Sequence, residues 1–178
     1  MTVQGRVSLL IVLLLLLSSC HLLRTRMPLT SQKVVRDGRT MLYGKITREQ
    51  LYFDYPQWKT GEERYQPQKD FIEKLKTVKA KTTVKIFMAT WCPDSKREVP
   101  HFFKIVRQAH LEPVLKIEMW AVDRQKKSPN DIAKKYHIRY VPTFIFLRNG
   151  KEIGRIVESP QSEYLEKDMY LILKGKRS

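Results

Sequence analysis

The chain contains only two cysteines and far fewer acidic than basic residues. Two cysteines are too few for a framework of disulfide bonds, and no cysteine and histidine cluster has the spacing of a zinc site. The fold must therefore be stabilised by packing, and 178 residues suffice for one domain with a hydrophobic core. We expect no metal and no cofactor.

The shortage of acidic residues, 18 against 34 basic ones, gives a formal net charge of +16. A charge of this size suggests a nucleic-acid partner. The basic residues, however, are scattered through helical and turn segments without the interleaved aromatic residues that single-strand binders use. We therefore interpret them as solvated faces and expect no nucleic acid as partner, although a basic domain tethered to a membrane would be drawn to anionic headgroups.

A leader segment precedes the rest of the chain. Arg6 and the apolar run from Leu9 to Leu17 predict a signal peptide over residues 1–19, because the run is too short to span a membrane. The tetrapeptide Leu17-Ser18-Ser19-Cys20 resembles the bacterial lipobox, whose cysteine is diacylated and becomes the mature N-terminus. This resemblance implies export to a bacterial cell envelope and a lipid anchor on Cys20. The alternative is an ordinary signal segment with an incidental cysteine.

The residue after Cys20 is His21 and not the aspartate that retains many lipoproteins in the inner membrane, which favours the outer membrane, facing the periplasm. Residues 20–65 are then a lipid-anchored tether and an N-terminal extension, because they lack sustained periodicity. We expect a linker over residues 21–40. The aromatic segment Leu51–Trp58 should pack on the domain, with a role as a wall of a substrate groove as the alternative.

The remaining residues, 66–178, alternate between helical and strand patterns. Asn149-Gly150 predicts a tight hairpin between the last two strands, and Pro100 should kink the helix that contains it. The pattern predicts an α/β fold with the order α-β-α-β-α-β-β-α, as follows: helix 67–80, strand 84–90, helix 94–110, strand 115–122, a short helix from about 128 to 136, strands 143–147 and 152–157, and a helix after Ser162.

Cys92 lies where an apolar strand passes into the start of a helix. Unpaired N–H groups and the helix dipole stabilise a thiolate there, and the thiolate is the form that attacks disulfides. Ser95 stands three residues later. Because a hydroxyl cannot form a disulfide with Cys92, any exchange reaction must begin and end on a single sulfur.

Residues 66–175 resemble the thioredoxin superfamily. Trp91-Cys92-Pro93-Asp94-Ser95 stands where that family has Trp-Cys-x-x-Cys, and Pro100, Val141-Pro142-Thr143 and Asn149-Gly150 match its other motifs. The resemblance implies a three-layer fold with a central mixed sheet flanked by helices. It also implies that Pro142 is cis and lies against Cys92, and that Trp91, Pro93, Val141 and Pro142 contact substrate.

Three positions depart from that family. Ser95 replaces the resolving cysteine, Ile86 stands where thioredoxins have a buried carboxylate, and Met119 replaces a lysine that partners it. We therefore expect a monothiol exchange enzyme, in which Cys92 forms mixed disulfides and Ser95 Oγ helps to stabilise the anion. Its partners would be disulfide-bearing or oxidised-thiol proteins or small thiols, and the protein would be a monomer. The alternative is a membrane-tethered binding module without catalysis.

Overall fold

A computed structural model describes residues 32–36 and 38–175. The predicted signal peptide and Cys20 lie outside the described residues. Six strands are present, namely β1 (Gln32–Arg36), β2 (Arg39–Ile46), β3 (Thr82–Met88), β4 (Leu115–Ala121), β5 (Thr143–Arg148) and β6 (Lys151–Val157). The α-helices are α1 (Arg48–Asp54), α2 (Pro56–Arg64), α3 (Lys69–Lys76), α4 (Pro93–Gln108), α5 (Ile132–Lys135) and α6 (Leu165–Leu173). A 3-10 turn, Pro129–Asp131, precedes α5.

The six strands form one mixed sheet in the order β1-β2-β4-β3-β5-β6. Strands β3 and β4 are parallel, with Ile86 opposite Met119, and all other neighbours are antiparallel. The parallel pair requires a crossover connection, which α4 provides. Strand β3 therefore lies in the middle of the sheet, and its carboxyl end leads directly to Cys92.

Two hydrophobic clusters cover the opposite faces of the sheet. The larger cluster joins alternate residues of the central strands, such as Ile86 and Phe144, to α1, α2, α3, α4 and α6. The smaller cluster contains Phe87, Ile145 and Cys92 and includes Ala133 of α5. Helices on both faces of a mixed sheet make the three layers that the sequence predicts.

Strands β1 and β2 correct the predicted linker from residue 32 onward. Met41 and Leu42 are fully buried, and β2 pairs with β4 through Gly44 opposite Ala121. These residues extend the domain's sheet by two strands. The sequence pattern is weak here because the buried residues do not alternate with exposed ones along β2.

Residues 48–64 form two helices, although their sequence has no clear helical periodicity. Leu51 and Trp58 are fully buried in the larger cluster, which confirms that the aromatic segment packs on the domain. Helix α1 begins after Thr47, whose Oγ1 accepts a hydrogen bond from Gln50 N–H. Glu62 is buried and accepts hydrogen bonds from Arg48 and from the Tyr52 hydroxyl, and these contacts hold α1 against α2.

Other elements differ from their predicted bounds mainly at the ends. The first predicted helix is shorter, at Lys69–Lys76, and the last begins at Leu165. Helix α4 continues through Pro100 from Pro93 to Gln108. Among the described residues, no helix has both the length and the apolar character needed to cross a membrane.

Candidate functional site

Cys92 is the N-cap residue of the longest described helix, α4. Its backbone is extended, with φ −90° and ψ 125°, and its carbonyl accepts a hydrogen bond from Lys96 N–H at 3.1 Å. The N–H groups of Asp94 and Ser95 belong to the first helical turn, where no intrahelical carbonyl is available. Their dipoles point towards the start of the helix, so the position favours negative charge on the sulfur.

The second part of the site is the segment before β5. The Val141–Pro142 peptide bond is cis, as the resemblance to the thioredoxin superfamily implies. Cys92 Sγ donates a hydrogen bond to Val141 O at 3.0 Å, and the cysteine is 7% exposed. The structure thus brings together two residues that are 49 positions apart in the chain. In this arrangement the thiol is a donor, and a thiolate would have to turn away from the carbonyl.

Ser95 is fully buried and lies one helical turn after Cys92. Its Oγ accepts a hydrogen bond from Ala89 N–H at 3.2 Å, across the loop that joins β3 to α4. The hydroxyl therefore fastens this loop to the helix. The recorded hydrogen bond of Ser95 goes to the loop and not to the Cys92 sulfur, so its proposed contact with the anion stays a prediction.

The layer directly under the site is apolar. Ile86 is fully buried, and its register partners are Met119 on β4 and Phe144 on β5. Met119 is 2% exposed. The two positions where thioredoxins would have a carboxylate and a lysine are therefore neighbours in the core, and both contain hydrocarbon or thioether side chains.

Trp91 connects the site to the loop after β4. The Trp91 indole Nε1–H donates to Val122 O at 3.2 Å. The guanidinium carbon of Arg124 lies 5.3 Å from the centre of a Trp91 ring, and Lys126 Nζ lies 6.0 Å from it. In the sequence, Lys126 is one of the scattered basic residues interpreted as solvated faces, and Arg124 lies beside it without a motif of its own. Their position over a site tryptophan could not be read from the sequence pattern.

Asp123 organises this same loop. Its carboxylate is fully buried, is paired with Arg36 of β1, and accepts hydrogen bonds from Gln125 N–H at 3.0 Å and Lys127 N–H at 2.8 Å. A buried carboxylate needs such partners because its desolvation is unfavourable. The N-terminal strand pair therefore helps to hold the loop that carries Arg124 and contacts Trp91.

On the helix side, Asp94, Arg97 and Glu98 pair with one another. Asp94 accepts from Arg97 at 2.8 Å, which offsets the charge that would oppose a thiolate. Arg97 Nε also lies 2.6 Å from Glu98. Burial opposes the ionisation of Glu98, but hydrogen bonds from His101 and Arg97 outweigh it and lower the Glu98 pKa. The His101 ring stacks on Tyr65 with a centroid distance of 3.7 Å.

These contacts leave His101 in a packing role. His137 follows α5 with a φ of 54° and is exposed. Pro93 is exposed at the first position of α4, beside the sulfur. Within residues 32–36 and 38–175, no group of histidine, cysteine and acidic side chains is arranged to hold a metal ion.

A cysteine at a helix start, bonded through its sulfur to a cis-proline segment at one end of a mixed sheet, defines a protein of the thioredoxin class. The sequence model of the thioredoxin family matches residues 64–170. The chain belongs to this family.

Comparison with individual proteins agrees with the family. The chain is 31% identical over 98 residues to thioredoxin H3 of Arabidopsis thaliana, which covers 54% of this chain and 77% of that protein. It is also 31% identical over 81 residues to the TPR repeat-containing thioredoxin TDX of A. thaliana, covering 46% of this chain but only 20% of that protein. A crystal structure of the Pseudomonas aeruginosa protein PA1234, of unknown function, shares the fold with a TM-score of 0.50 and 17% identity, covering 67% of this chain and 80% of that one.

Proposed function

We propose that this protein carries out thiol–disulfide exchange through Cys92 alone, at the membrane surface of a bacterial cell envelope. One observation carries the proposal. The Cys92 sulfur lies at the start of α4, 3.0 Å from the carbonyl of Val141, while the position one turn along is occupied by a serine. The Val141 backbone is thus beside the sulfur, where an extended partner segment could pair with it.

The reaction requires two displacements. In the first, the Cys92 thiolate attacks one sulfur of a partner disulfide. The new bond forms between Cys92 Sγ and that sulfur, and the other sulfur leaves with the electron pair of the broken bond and then takes a proton. A sulfenic acid partner would react in the same way and release water.

The second displacement needs a thiol from outside the chain, because Ser95 cannot attack the mixed disulfide. A small external thiol attacks this disulfide, becomes bonded to the partner, and releases Cys92 as a thiolate. The partner leaves as a mixed disulfide with the small thiol, which a further thiol reduces. The helix N-terminus stabilises the departing thiolate of Cys92.

The envelope location depends on Cys20, which lies outside the described residues. Diacylated Cys20 would anchor the domain with the site free to meet partners on the periplasmic side, and the outer membrane is favoured. Intact mass of the membrane-extracted protein tests this part. A chain that begins at Cys20 and contains the acyl groups supports it, whereas an unmodified N-terminus at another residue contradicts it.

A binding module is the second candidate, and the state of Cys92 favours it. The thiol is 7% exposed and already donates to Val141 O, so it is less accessible than a freely reacting surface thiol. A module of this kind would use the groove beside Pro142 without forming a bond to its partner.

One experiment separates the two candidates. The full chain, kept in a non-ionic detergent, is mixed with an excess of a neutral cysteine peptide activated as its thiopyridyl disulfide. Exchange predicts one peptide bound per chain on Cys92, released by a small thiol, and no adduct for Cys92→Ala. The conservative variant Cys92→Ser should be as stable as the wild type and, like Cys92→Ala, should form no adduct. Failure of the folded wild type to form an adduct would leave the binding module as the function.

A further inference from the structure

The loop side of the Cys92 site is lined by basic residues. Arg124 and Lys126 lie over the Trp91 ring and are partly exposed. Arg139 is exposed two residues before Val141, so its Cα is within about 7 Å of that residue. Lys96 is exposed in the first turns of α4, where its N–H bonds to Cys92 O at 3.1 Å. We name these four residues the cationic rim.

The cationic rim has no acidic counterpart in the described part of the chain. Among the described residues, 32–36 and 38–175, no ion pair includes any of the four rim residues, Lys96, Arg124, Lys126 and Arg139. Two of the acidic neighbours are used elsewhere, and a third, Asp131, lines a pocket with Lys126 and Arg139 but forms no ion pair with either. Asp123 is fully buried and paired with Arg36, and Asp94 is paired with Arg97. The rim therefore presents positive charge that a partner could neutralise.

Open pockets flank the rim on both sides. One, of about 430 Å³, is lined by Lys126, Lys127, Lys134 and Arg139, with Asp131 as its acidic residue. The other, of about 460 Å³, lies between α2 and the start of α4 and is lined by basic residues that include Lys96. Each has room for an acidic side chain of a partner segment. Tyr140, which is 54% exposed and precedes Val141, adds an exposed aromatic side chain to this segment.

We infer that the cationic rim selects partner proteins whose reactive cysteine is flanked by acidic residues. The inference rests on the proposed exchange at Cys92 and adds its substrate class. An extended segment bonded to Cys92 would place its neighbouring side chains over Trp91 on one side and along α4 on the other. Carboxylates at those positions would pair with arginine and lysine groups that form no ion pair with any other described residue.

Charge on the whole surface must be distinguished from charge at the rim, because the net charge is +16. Lys79 and Lys151 are suitable controls. Both are exposed, and they lie near the start of β3 and at the β5–β6 hairpin, the end of the sheet opposite Cys92. Changing them alters the net charge by as much as changing two rim residues.

The test measures second-order rates for the full chain in non-ionic detergent with thiopyridyl-activated peptides that differ only in their flanking residues. In each reaction the Cys92 thiolate bonds to the peptide sulfur and thiopyridone leaves with the electron pair. At low salt the acidic peptide should react about 10 to 100 times faster than the basic one, and high salt should reduce the difference to a few-fold. Arg124→Glu with Lys126→Glu should abolish or reverse the preference.

Lys79→Glu with Lys151→Glu should leave the ratio of acidic to basic rates within about twofold of the wild type, since these charges lie beyond the screening length of the site. Equal rates for both peptides with the wild type would overturn the inference. An equal loss of preference in the control pair would also overturn it, because the effect would then belong to the net charge.

The proposed exchange reaction and the role of the cationic rim can fail independently, and a binding measurement distinguishes the two failures. If no peptide reacts, the proposed function fails, and the rim is then tested by fluorescence anisotropy of Cys92→Ser with peptides in which serine replaces cysteine. The acidic peptide should still bind at least about fivefold more tightly than the basic one at low salt. Equal binding by both peptides would contradict the inference by this second route.

Discussion

The surface of the Cys92 site and the layer directly beneath it differ in chemistry. The surface layer consists of half-buried Trp91 together with Cys92 and cis-Pro142, which are almost fully buried. Beneath them, Ser95 is bonded to a backbone N–H, and Ile86 and Met119 pack as neighbours in the core. In the proposed mechanism the surface layer would serve attack on a disulfide, whereas the buried layer offers neither a second thiol nor a carboxylate to resolve the product.

This difference shows that attack and resolution have separate physical requirements. Attack needs a helix N-terminus and a backbone surface for the partner, which the start of α4 and the main chain of Val141 provide. Resolution by a second thiol needs that thiol and a group to accept its proton. An apolar buried layer is also free of the desolvation penalty of an internal carboxylate.

The largest effect is expected from Ser95→Cys, which places a second thiol, besides that of Cys92, in the buried layer. That thiol would lie one helical turn from the mixed disulfide and could release the partner intramolecularly. An effective concentration far above that of external thiols should raise turnover in an insulin reduction assay, with a dithiol-recycling enzyme, by about 100-fold. Loss of the Ser95 hydrogen bond with Ala89 N–H should lower the free energy of unfolding by about 1 kcal/mol.

Ser95→Ala is the matched control, because it loses the same hydrogen bond without adding a thiol. It should remain a monothiol protein that accumulates mixed disulfides. Turnover of the wild type equal to that of Ser95→Cys, without added thiol, would contradict the single-sulfur mechanism. A new cysteine that never pairs with Cys92 would contradict the assigned geometry.

A smaller gain is expected when Ile86→Asp is added to Ser95→Cys. The new carboxylate could take the proton of the resolving thiol and raise turnover by about a further tenfold. Its burial among Met119 and Phe144 should destabilise the fold by about 2–4 kcal/mol, as measured by urea unfolding. Ile86→Asn should lose comparable stability without the gain in rate. A similar gain in turnover from Ile86→Asn would show that looser packing of the core, and not proton transfer to a carboxylate, increases the rate.

The sequence predicted the surface of the site better than the parts that support it. Cys92 and Pro142 belong to local motifs, and the hairpin at Asn149-Gly150 joins strands adjacent in sequence. Strand β2 was missed because its buried residues do not alternate with exposed ones, so its sequence lacks a strand pattern. The contact between Arg36 and Asp123, 87 residues apart, was missed because it depends on where β1 lies in the sheet.

Arg36→Met removes a support of the surface layer and leaves the buried layer unchanged. Asp123 would keep its two N–H donors but lose its cation, so the free energy of unfolding should fall by about 1–2 kcal/mol. Looser anchoring of the loop that contacts Trp91 should also slow adduct formation about two- to threefold. Arg39→Met, at an exposed position next to Arg36 in the strand register, is the control and should change neither quantity appreciably. Equal effects of both variants would show that Arg36 contributes only general charge.

The smallest effect concerns the charges on the helix side of Cys92. Burial opposes ionisation of Glu98, but His101 and Arg97 lower its pKa below the usual 4.5. A carboxyl whose pKa is lower in the folded than in the unfolded protein stabilises the fold above pH 4.5, and this stabilisation is lost as pH falls through the folded-state pKa. Glu98→Gln should therefore lower stability by about 0.5–1 kcal/mol at neutral pH and flatten its decline in acid. Urea unfolding at several pH values between neutral and about pH 3 measures how steeply the free energy of unfolding falls with pH. Glu49→Gln, at an exposed position, is the control. A Glu98→Gln variant as acid-sensitive as the wild type would show that the pairs around Glu98 do not stabilise this side of the site.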